Sequence, residues 1–317
     1  MATVGVLCGR MRVEEKLLVA ALAEAGIAAE PVVPAGLPLP PGRSPLPPAP
    51  AIAGGPRTDL LLDRFPERAA GAALIAASRA IGAATIDAGI AATGDRLAVA
   101  TALAAAGVAR PNTHFVWSAE AALAAVAALG YPATLLPLAY RSAPTALLDI
   151  DAAEAVIEHR AVLGNGVETL ALIQAGVAAE GSSCFVVVDG EAVASDGRAS
   201  DGDAEANATA RNLAARAAHA LGACLIGVEI ADTARGPVVW DVRPVPEFRH
   251  ARPLSGRTVA AAVAAMAVRL LDARESLPAP DVHLGPRPIV ASTEHLNGNG
   301  HGHDHAEEVR DGVALFA

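Results

Sequence analysis

Arginine and glutamate side chains follow two predicted strands near the start of the sequence. Arg10, Arg12 and Glu15 come after an apolar strand over residues 3–8, and Arg64 comes after a strand over residues 59–62. Arginines on loops after strands hold carboxylates well, because the paired N–H donors match the two carboxylate oxygens. We therefore expect a carboxylate-binding substrate surface. The alternative is that these residues form salt bridges between lobes of the protein.

Other reactive side chains are few. Lys16 is the only lysine, so a mechanism that needs a buried lysine must use this one. Cys8, Cys184 and Cys224 lie far apart and form no CxxC pair, which is typical of small buried side chains in a reducing cytoplasm.

The composition excludes several classes of function. The chain has 317 residues, of which 53% are hydrophobic and 3% aromatic, and its formal net charge is −10. This acidic surplus argues against nonspecific nucleic-acid binding. The longest uncharged stretch, residues 121–140, contains Gly130, Pro132 and Pro137, so we expect no membrane-spanning helix. Residues 1–6 resemble no export signal, which again predicts the cytoplasm.

The chemistry-bearing residues lie on three predicted α/β lobes. In residues 1–92, strands at 3–8, 27–33, 59–62 and 84–86 alternate with helices at 13–25 and 67–81. Ten prolines between residues 31 and 56 forbid a helix and predict a stiff connection. We interpret it as a lengthened loop; a recognition motif for a partner domain is the alternative.

The second lobe is predicted over residues 93–165 and the third over residues 166–275. The second combines helices with strands at 113–116, 133–136 and 145–148, and Ser118 is an expected N-cap for one of its helices. The third has strands at 170–174, 184–188, 192–195, 224–231 and 237–242, flanked by helices at 205–221 and 255–273.

The tail, residues 276–317, loses all periodicity and is predicted to be disordered. His295 and the alternating histidines from His301 to His305 could chelate Zn²⁺, Ni²⁺ or Cu²⁺, or form part of a solvated polar spacer. The apolar segment Val309 to Ala317 is a candidate docking peptide for a partner protein, with a frayed terminus as the alternative.

The order of the three lobes resembles that of the ATP-grasp ligases, and so do three segments. They are residues 9–18 (GRMRVEEKLL), 93–96 (TGDR) and 240–244 (WDVRP). The RimK-like branch typified by the LysX ligases of amino-carrier lysine biosynthesis is most similar. The resemblance covers residues 1–275 and implies an α/β, ATP-grasp-like fold of three lobes. It also implies that ATP and Mg²⁺ lie between the second and third lobes, where a carboxylate is activated as an acyl phosphate and attacked by an amine.

The phosphate-binding positions implied by this resemblance depart from the family pattern. The first phosphate lysine falls on Arg96, which keeps the charge, whereas the second falls on Leu136, which cannot bind phosphate. The flap over the phosphates should be rich in glycine, but residues 138–144 contain none. Arg141 in this flap is a candidate replacement cation. At the adenine hinge Gln174 is retained, and its acidic neighbour becomes Ala175.

The positions of the metal ligands are only partly retained. By the resemblance, Glu229 and Asp241 occupy the positions of two carboxylate ligands for Mg²⁺, but Arg243 replaces an asparagine ligand. A guanidinium beside two carboxylates would repel the metal and could neutralise both. We therefore expect a salt-bridge cluster of Glu229, Arg243 and Asp241. Two ordinary carboxylates on neighbouring strands are the simpler alternative.

Three functions follow from these expectations. The first is a degenerate ligase homologue that acts as a noncatalytic subunit or binding partner, for which a paralogous ligase or a carrier protein is the expected partner. The second is a working ATP- and Mg²⁺-dependent carboxylate–amine ligase. The third is a binding module for a small molecule or peptide that needs no cofactor. A homo-oligomer and a hetero-oligomer are both compatible with the sequence.

Overall fold

Three β-sheets, each covered by helices, make up the part of the chain that the computed structural model describes. That part comprises residues 2–34, 58–80, 83–140, 142–164, 169–177, 182–196 and 204–275. Within it no helix is long and apolar enough to cross a membrane. Cys8 and Cys184 are buried, Cys224 is half-buried, and burial raises the pKa of the Cys184 thiol to about 12.

The first sheet is parallel, with the strand order β2-β1-β3-β4. Its elements are β1 (Thr3–Leu7), α1 (Val13–Glu24), β2 (Ala28–Val32), β3 (Leu60–Asp63), α2 (Arg68–Ala80) and β4 (Ala84–Ile86). The strands are largely apolar on both faces because α1 covers one face and α2 the other. Helix α1 ends where Gly26 takes a positive φ of 78°. The proline-rich residues 35–57 lie outside the described ranges.

The second sheet is antiparallel, with the order β5-β8-β6-β7. Its lobe contains β5 (Thr113–Val116), α4 (Ala119–Leu129), β6 (Ala133–Pro137), β7 (Thr145–Leu147), α5 (Ile150–Leu163) and β8 (Ala171–Ala175). The preceding helix α3 (Arg96–Ala105), which the sequence assigned to this lobe, packs against the third sheet instead. The hydroxyl of Ser118 accepts a 3.1 Å hydrogen bond from Ala121 N, which confirms the predicted N-cap.

The position of β8 corrects one prediction. The sequence placed the strand at residues 170–174 in the third lobe, but β8 is hydrogen-bonded between β5 and β6 of the second sheet. The physical reason is that β8 forms antiparallel hydrogen bonds with β5 on one side and with β6 on the other. Hydrophobic patterning identifies a buried strand without identifying the sheet that contains it.

The third sheet is antiparallel, with the order β12-β11-β9-β10-β13. Its elements are β9 (Ser183–Val188), β10 (Glu191–Ser195), α6 (Ala204–Leu221), β11 (Leu225–Thr233), β12 (Gly236–Arg243), β13 (Arg252–Pro253) and α7 (Val259–Glu275). Helix α6 packs on one face of this sheet, together with α3. Helix α7 packs on the other face and also contacts α1, so the first and third sheets share one hydrophobic core.

A glycine makes the close contact between the first lobe and the end of α6. Gly89 has a φ of +70°, and a Cβ atom built on it would lie 2.0 Å from the carbonyl oxygen of Leu221. The carboxylate of buried Asp87 accepts hydrogen bonds from Gly89 N and from Arg79, which fixes this turn against α6. The turn therefore has no space for a side chain.

We predict that Gly89→Ala lowers the free energy of unfolding by more than about 3 kcal/mol, since it combines an unfavourable φ with a backbone clash. Gly107→Ala is the matched control, because Gly107 has a φ of +62° but no atom within 4 Å of the point that a Cβ would occupy. The control should lose about 1 kcal/mol. Urea unfolding measures both; equal losses would show that the contact with Leu221 is unimportant.

Candidate functional site

A cleft of about 480 Å³ opens between the first, second and third lobes. Its walls carry most of the charged residues singled out by the sequence. The charged and aromatic lining consists of Arg12, Arg68, Arg96, Tyr140, Glu229, Asp241, Arg243 and Glu247. Arg141 and the tail segments that contain His295, His301 to His305 and Val309 to Ala317 lie outside the described residues.

The first-lobe arginines are divided between the cleft and a buried contact. Glu15 Oε1 accepts 3.1 Å hydrogen bonds from Arg64 Nε and from Arg12 Nη2. Arg64 Nη1 also donates to the carbonyl of Pro246 in the third lobe at 2.8 Å. The side chains of Arg64 and Glu15 are 0% exposed, so contact with a substrate does not fit them. Their salt bridge lies within the first lobe, and the hydrogen bond from Arg64 to Pro246 is what reaches the third lobe. Arg12 borders the cleft, and Arg10 lies exposed outside it.

Burial opposes charge on Glu15, but its partners outweigh burial. Desolvation alone would raise the pKa of the Glu15 carboxyl, and the hydrogen bonds from Arg12 together with the charge of Arg64 lower it. Burial lowers the pKa of Arg64, and Glu15 opposes this shift. Arg64 and Glu15 therefore form a buried structural ion pair in which each charge stabilises the other.

Arg96 is held by the protein itself. Its Nη1 group donates to the backbone carbonyls of Pro137, Ala139 and Ser142 at 2.8, 3.1 and 3.3 Å. Its Nε group donates to Asp241 Oδ2 at 3.2 Å. These acceptors occupy the Nε and Nη1 groups of Arg96, so a phosphate would compete with them for those donors.

The aromatic ring of Tyr140 completes the environment of Arg96. The guanidinium carbon of Arg96 lies 4.2 Å from the ring centroid, a cation–π contact. Burial, with a smaller contribution from the charge of Asp241, raises the pKa of the Tyr140 hydroxyl well above its usual value. Tyr140 is a residue that the sequence did not single out, because a contact between distant positions leaves no local pattern.

The two candidate metal ligands are neutralised by different arginines. Glu229 and Asp241 face each other on β11 and β12. Arg243 Nε donates to Glu229 Oε1 at 2.5 Å, and Arg243 Nη2 contacts the same oxygen. Asp241 pairs with Arg96 and not with Arg243, so the expected single cluster of three residues is replaced by two separate ion pairs.

The pKa of Asp241 shows how strongly its surroundings disfavour an isolated charge. Burial raises the pKa of the Asp241 carboxyl, and the charge of Arg96 and a hydrogen bond from Val242 N oppose this shift without cancelling it. For Arg243, burial disfavours the charge, but Glu229 outweighs burial and raises the pKa. Both carboxylates therefore depend on an arginine partner.

A second and much smaller cavity lies between the second and third lobes. It has a volume of about 30 Å³ and lies behind Arg96, between α3, β6, β8 and β12. It is lined by apolar and polar side chains that include Val99, Leu103, Leu136, Tyr140, Gln174 and Trp240. Gln174 Nε2 donates to the carbonyl of Trp240 at 3.3 Å, so the predicted cofactor-binding Gln174 is used in closing this cavity.

Known structures provide the comparison for this arrangement. No family model matches the chain. A RimK domain ATP-grasp protein from Sphaerobacter thermophilus DSM 20745 is 33% identical, covers 84% of this chain and 100% of that chain, and has a TM-score of 0.70. D-cycloserine synthetase DcsG is 18% identical, with coverages of 85% and 100% and a TM-score of 0.62. D-alanine–D-alanine ligase from Bacillus anthracis is 12% identical, with coverages of 86% and 100% and a TM-score of 0.60.

These likenesses and the three-lobed cleft define a protein of the ATP-grasp class, similar in fold to carboxylate–amine ligases. The predicted α/β, ATP-grasp-like fold is confirmed. Because the S. thermophilus protein is 33% identical and matched over its whole length, this chain belongs to the RimK-type ATP-grasp family. The other two likenesses show the fold alone.

Two features of the site bear on how magnesium-ATP would fit. The ATP-grasp ligase PsnB, 13% identical with a TM-score of 0.57, forms a complex with Mg and ADP. The cavity beside Gln174 has only about 30 Å³, whereas the cleft of about 480 Å³, which shares Arg96, Tyr140 and Asp241 with it, lies in the range of about 300 to 1,000 Å³ typical of ligand pockets. Leu136 is buried where a phosphate-binding lysine was expected.

Removing the Arg96 guanidinium tests its role in the closed cleft. We predict that Arg96→Met lowers the free energy of unfolding by about 3 kcal/mol near pH 8, because the largely buried Asp241 carboxylate loses its only ion-pair partner among the described residues and keeps the hydrogen bond from Val242 N. The loss should be smaller near pH 5. Without Arg96, the pKa of Asp241 in the folded state rises further above its unfolded value. Protonation of Asp241 at low pH therefore stabilises the folded variant, and this stabilisation is lost as the pH rises.

Arg257→Met is the control, since Arg257 forms a half-exposed pair with Glu191 and should change stability by less than about 0.5 kcal/mol. Urea unfolding at both pH values measures the effect. A loss in Arg96→Met that is independent of pH would contradict the role given to Asp241.

Proposed function

We propose that this chain is a noncatalytic member of the RimK-type family that acts as a subunit or binding partner of another protein. The observation that carries the proposal is the internal neutralisation of the cleft. Arg96 is bound by Asp241 and three backbone carbonyls, and Arg243 is bound by Glu229. A triphosphate would have to compete with all of these contacts.

The position of Leu136 supports the same proposal. A charge-assisted hydrogen bond to a phosphate contributes about 1.5 to 3 kcal/mol, and an aliphatic side chain supplies none of it. Leu136 is 3% exposed and packs in the wall of the small cavity. Binding of ATP would therefore lack one cation and would also require displacement of the other.

The proposed partner is an intact ligase of the same fold or a carrier protein. We extend the proposal to amino-carrier lysine biosynthesis because residues 9–18, 93–96 and 240–244 resemble the LysX-type segments. The segment Val309 to Ala317 is the proposed docking peptide, because apolar side chains on a polar tether gain free energy in a partner's groove.

A binding module for a small carboxylate is the second candidate. The open cleft of about 480 Å³ has the size of a ligand pocket, in contrast to the closed cavity behind Arg96. Arg12 lies on its border with a side chain that is 26% exposed, and its contact with Glu247 is long, at 4.0 Å. Arg12 Nε and Nη2 donate to Glu15, so its Nη1 group is the part that a carboxylate in the cleft could reach.

We predict that millimolar MgATP leaves the melting temperature of the full chain unchanged. A ligand at about a hundred times its Kd would stabilise the protein by about 2.7 kcal/mol, which thermal shift detects readily. PsnB, which forms a complex with Mg and ADP, is the positive control. A clear shift with MgATP would favour the active ligase, with Arg96 and Arg141 as cations and Glu229 and Asp241 as metal ligands.

We predict that the double variant Leu136→Lys and Arg243→Asn gains magnesium-dependent ATP binding, because it adds a phosphate ligand and frees Glu229. Leu136→Met with Arg243→Asn is the matched control, since it frees Glu229 without adding a cation. Isothermal titration with ATP, with and without Mg²⁺, measures the gain. Equal binding by the two double variants would contradict the role given to Leu136.

For the partner, we predict that deletion of residues 309–317 abolishes co-purification with an intact paralogous ligase expressed in the same cells. Replacement of the same nine residues by a Gly/Ser sequence of equal length is the control for length, and it should also abolish the complex. A complex that survives both changes would show that this segment is not the docking site.

A further inference from the structure

The backbone takes an unusual conformation just before α3. Ala91, Ala92 and Thr93 have positive φ angles of 48°, 60° and 31°, and none of them is glycine. Residues with a Cβ atom take this conformation rarely and singly, because the Cβ atom crowds the backbone. The hydroxyl of Thr93 is also buried, and it bonds to none of the described residues. Residues 91–93 therefore form a strained left-handed turn.

The side chain of Arg68, the first residue of α2, holds this left-handed turn. Its Nη2 group donates to the carbonyl of Ala92 at 2.6 Å and to Asp63 Oδ2 at 2.7 Å. Arg68 is 4% exposed and Asp63 is 3% exposed, so water competes little for these hydrogen bonds. A strained backbone persists only where its surroundings impose it, and the buried Arg68 guanidinium is such a constraint.

The left-handed turn leads directly into the residue that bridges the cleft. Gly94 and Asp95 alone separate it from α3, whose first residue is Arg96. The Asp95 carboxylate accepts a 2.7 Å hydrogen bond from Leu97 N, and the Asp95 backbone forms an isolated β-bridge with Ala139. Because so short a segment connects them, the direction in which the chain leaves the turn determines where Arg96 lies.

We propose that the left-handed turn is a strained hinge, which Arg68 holds in the state where Arg96 pairs with Asp241. When the hydrogen bond from Arg68 to the Ala92 carbonyl is lost, residues 91–93 relax to a negative φ, which is favourable for alanine and threonine. The first turn of α3 then shifts, and Arg96 separates from Asp241 and from its carbonyl acceptors. Arg68 is thus a positioning residue that acts on the cleft through α3.

The hinge is placed where it can respond to the cleft. Arg68 lines the same open cleft of about 480 Å³ as Arg96, so both ends of this connection border one space. The turn itself lies on the first lobe, where Ala92 packs in a core cluster with Ile75. This inference is independent of the proposed function, since it concerns how the cleft opens and not what the cleft binds.

Ala91→Gly in the full chain tests the strain. Ala91 is exposed, so this change removes no buried contact, and glycine takes a positive φ without steric cost. The urea midpoint of unfolding should therefore rise. Ala234→Gly is the matched control, because Ala234 is also exposed in a turn but is not one of the residues with a positive φ, and its midpoint should not rise. If Ala91→Gly is no more stable than this control, the turn is not strained and the proposal is wrong.

Fluorescence of Trp240 tests the coupling to the cleft. Trp240 is 7% exposed and lines the small cavity together with Val99 of α3, and Trp117 is the only other tryptophan. In a Trp117→Phe background, acrylamide quenching of Trp240 therefore reports a shift of α3. Arg68→Lys keeps a charge beside Asp63 but lacks the forked donors, and it should raise the quenching constant at least twofold.

Glycine at position 91 separates a hinge from a purely structural role of Arg68. Adding Ala91→Gly to Arg68→Lys should return the quenching constant close to that of the background, because glycine keeps the left-handed turn without help from Arg68. Arg269→Lys is the control, since Arg269 forms an exposed pair with Asp189, and it should leave quenching unchanged. Unchanged quenching in Arg68→Lys, or an increase that Ala91→Gly does not reverse, would overturn the proposal.

Discussion

The ion pair between Arg96 and Asp241 is the polar contact that joins the elements around the cleft. Arg96 lies at the start of α3, Asp241 lies on β12, and the carbonyl acceptors of Arg96 lie at and after the end of β6. One guanidinium thus joins three elements that are far apart in the sequence. A buried charge must be paired or solvated, so these elements remain together unless water or a ligand replaces every partner.

This contact also determines the electrostatics of the cleft. A site for a triphosphate needs cations whose donors are free, and a magnesium site needs carboxylates without a competing arginine. Here Arg96 and Arg243 are each matched to one carboxylate, and Leu136 supplies no charge. The same residue types that would bind MgATP in another arrangement bind each other in this one.

Local signals in the sequence predicted the elements better than the contacts between them. Glycines and prolines delimit the helices, Ser118 caps α4, and the pairing of Arg243 with Glu229 follows from two neighbouring strands. The pairing of Arg96 with Asp241 spans 145 positions. The hydrogen bond from Arg64 to the Pro246 carbonyl spans 182. Such contacts depend on how the lobes pack, which no periodicity encodes, and for the same reason the sequence could not place β8 in its sheet.

The distribution of hydrophobic cores explains why the hydrogen bonds of Arg96 are important for the contact between the second and third sheets. The first and third sheets share a core through α1 and α7, and α3 packs with α6 against the third sheet. The second sheet has a separate core with α4 and α5. The apolar contacts of the second lobe are therefore mainly internal. The carbonyls that Arg96 binds lie on this lobe, whereas Arg96 lies on α3, which packs against the third sheet. Any widening of the cleft between the second and third sheets has to break these hydrogen bonds.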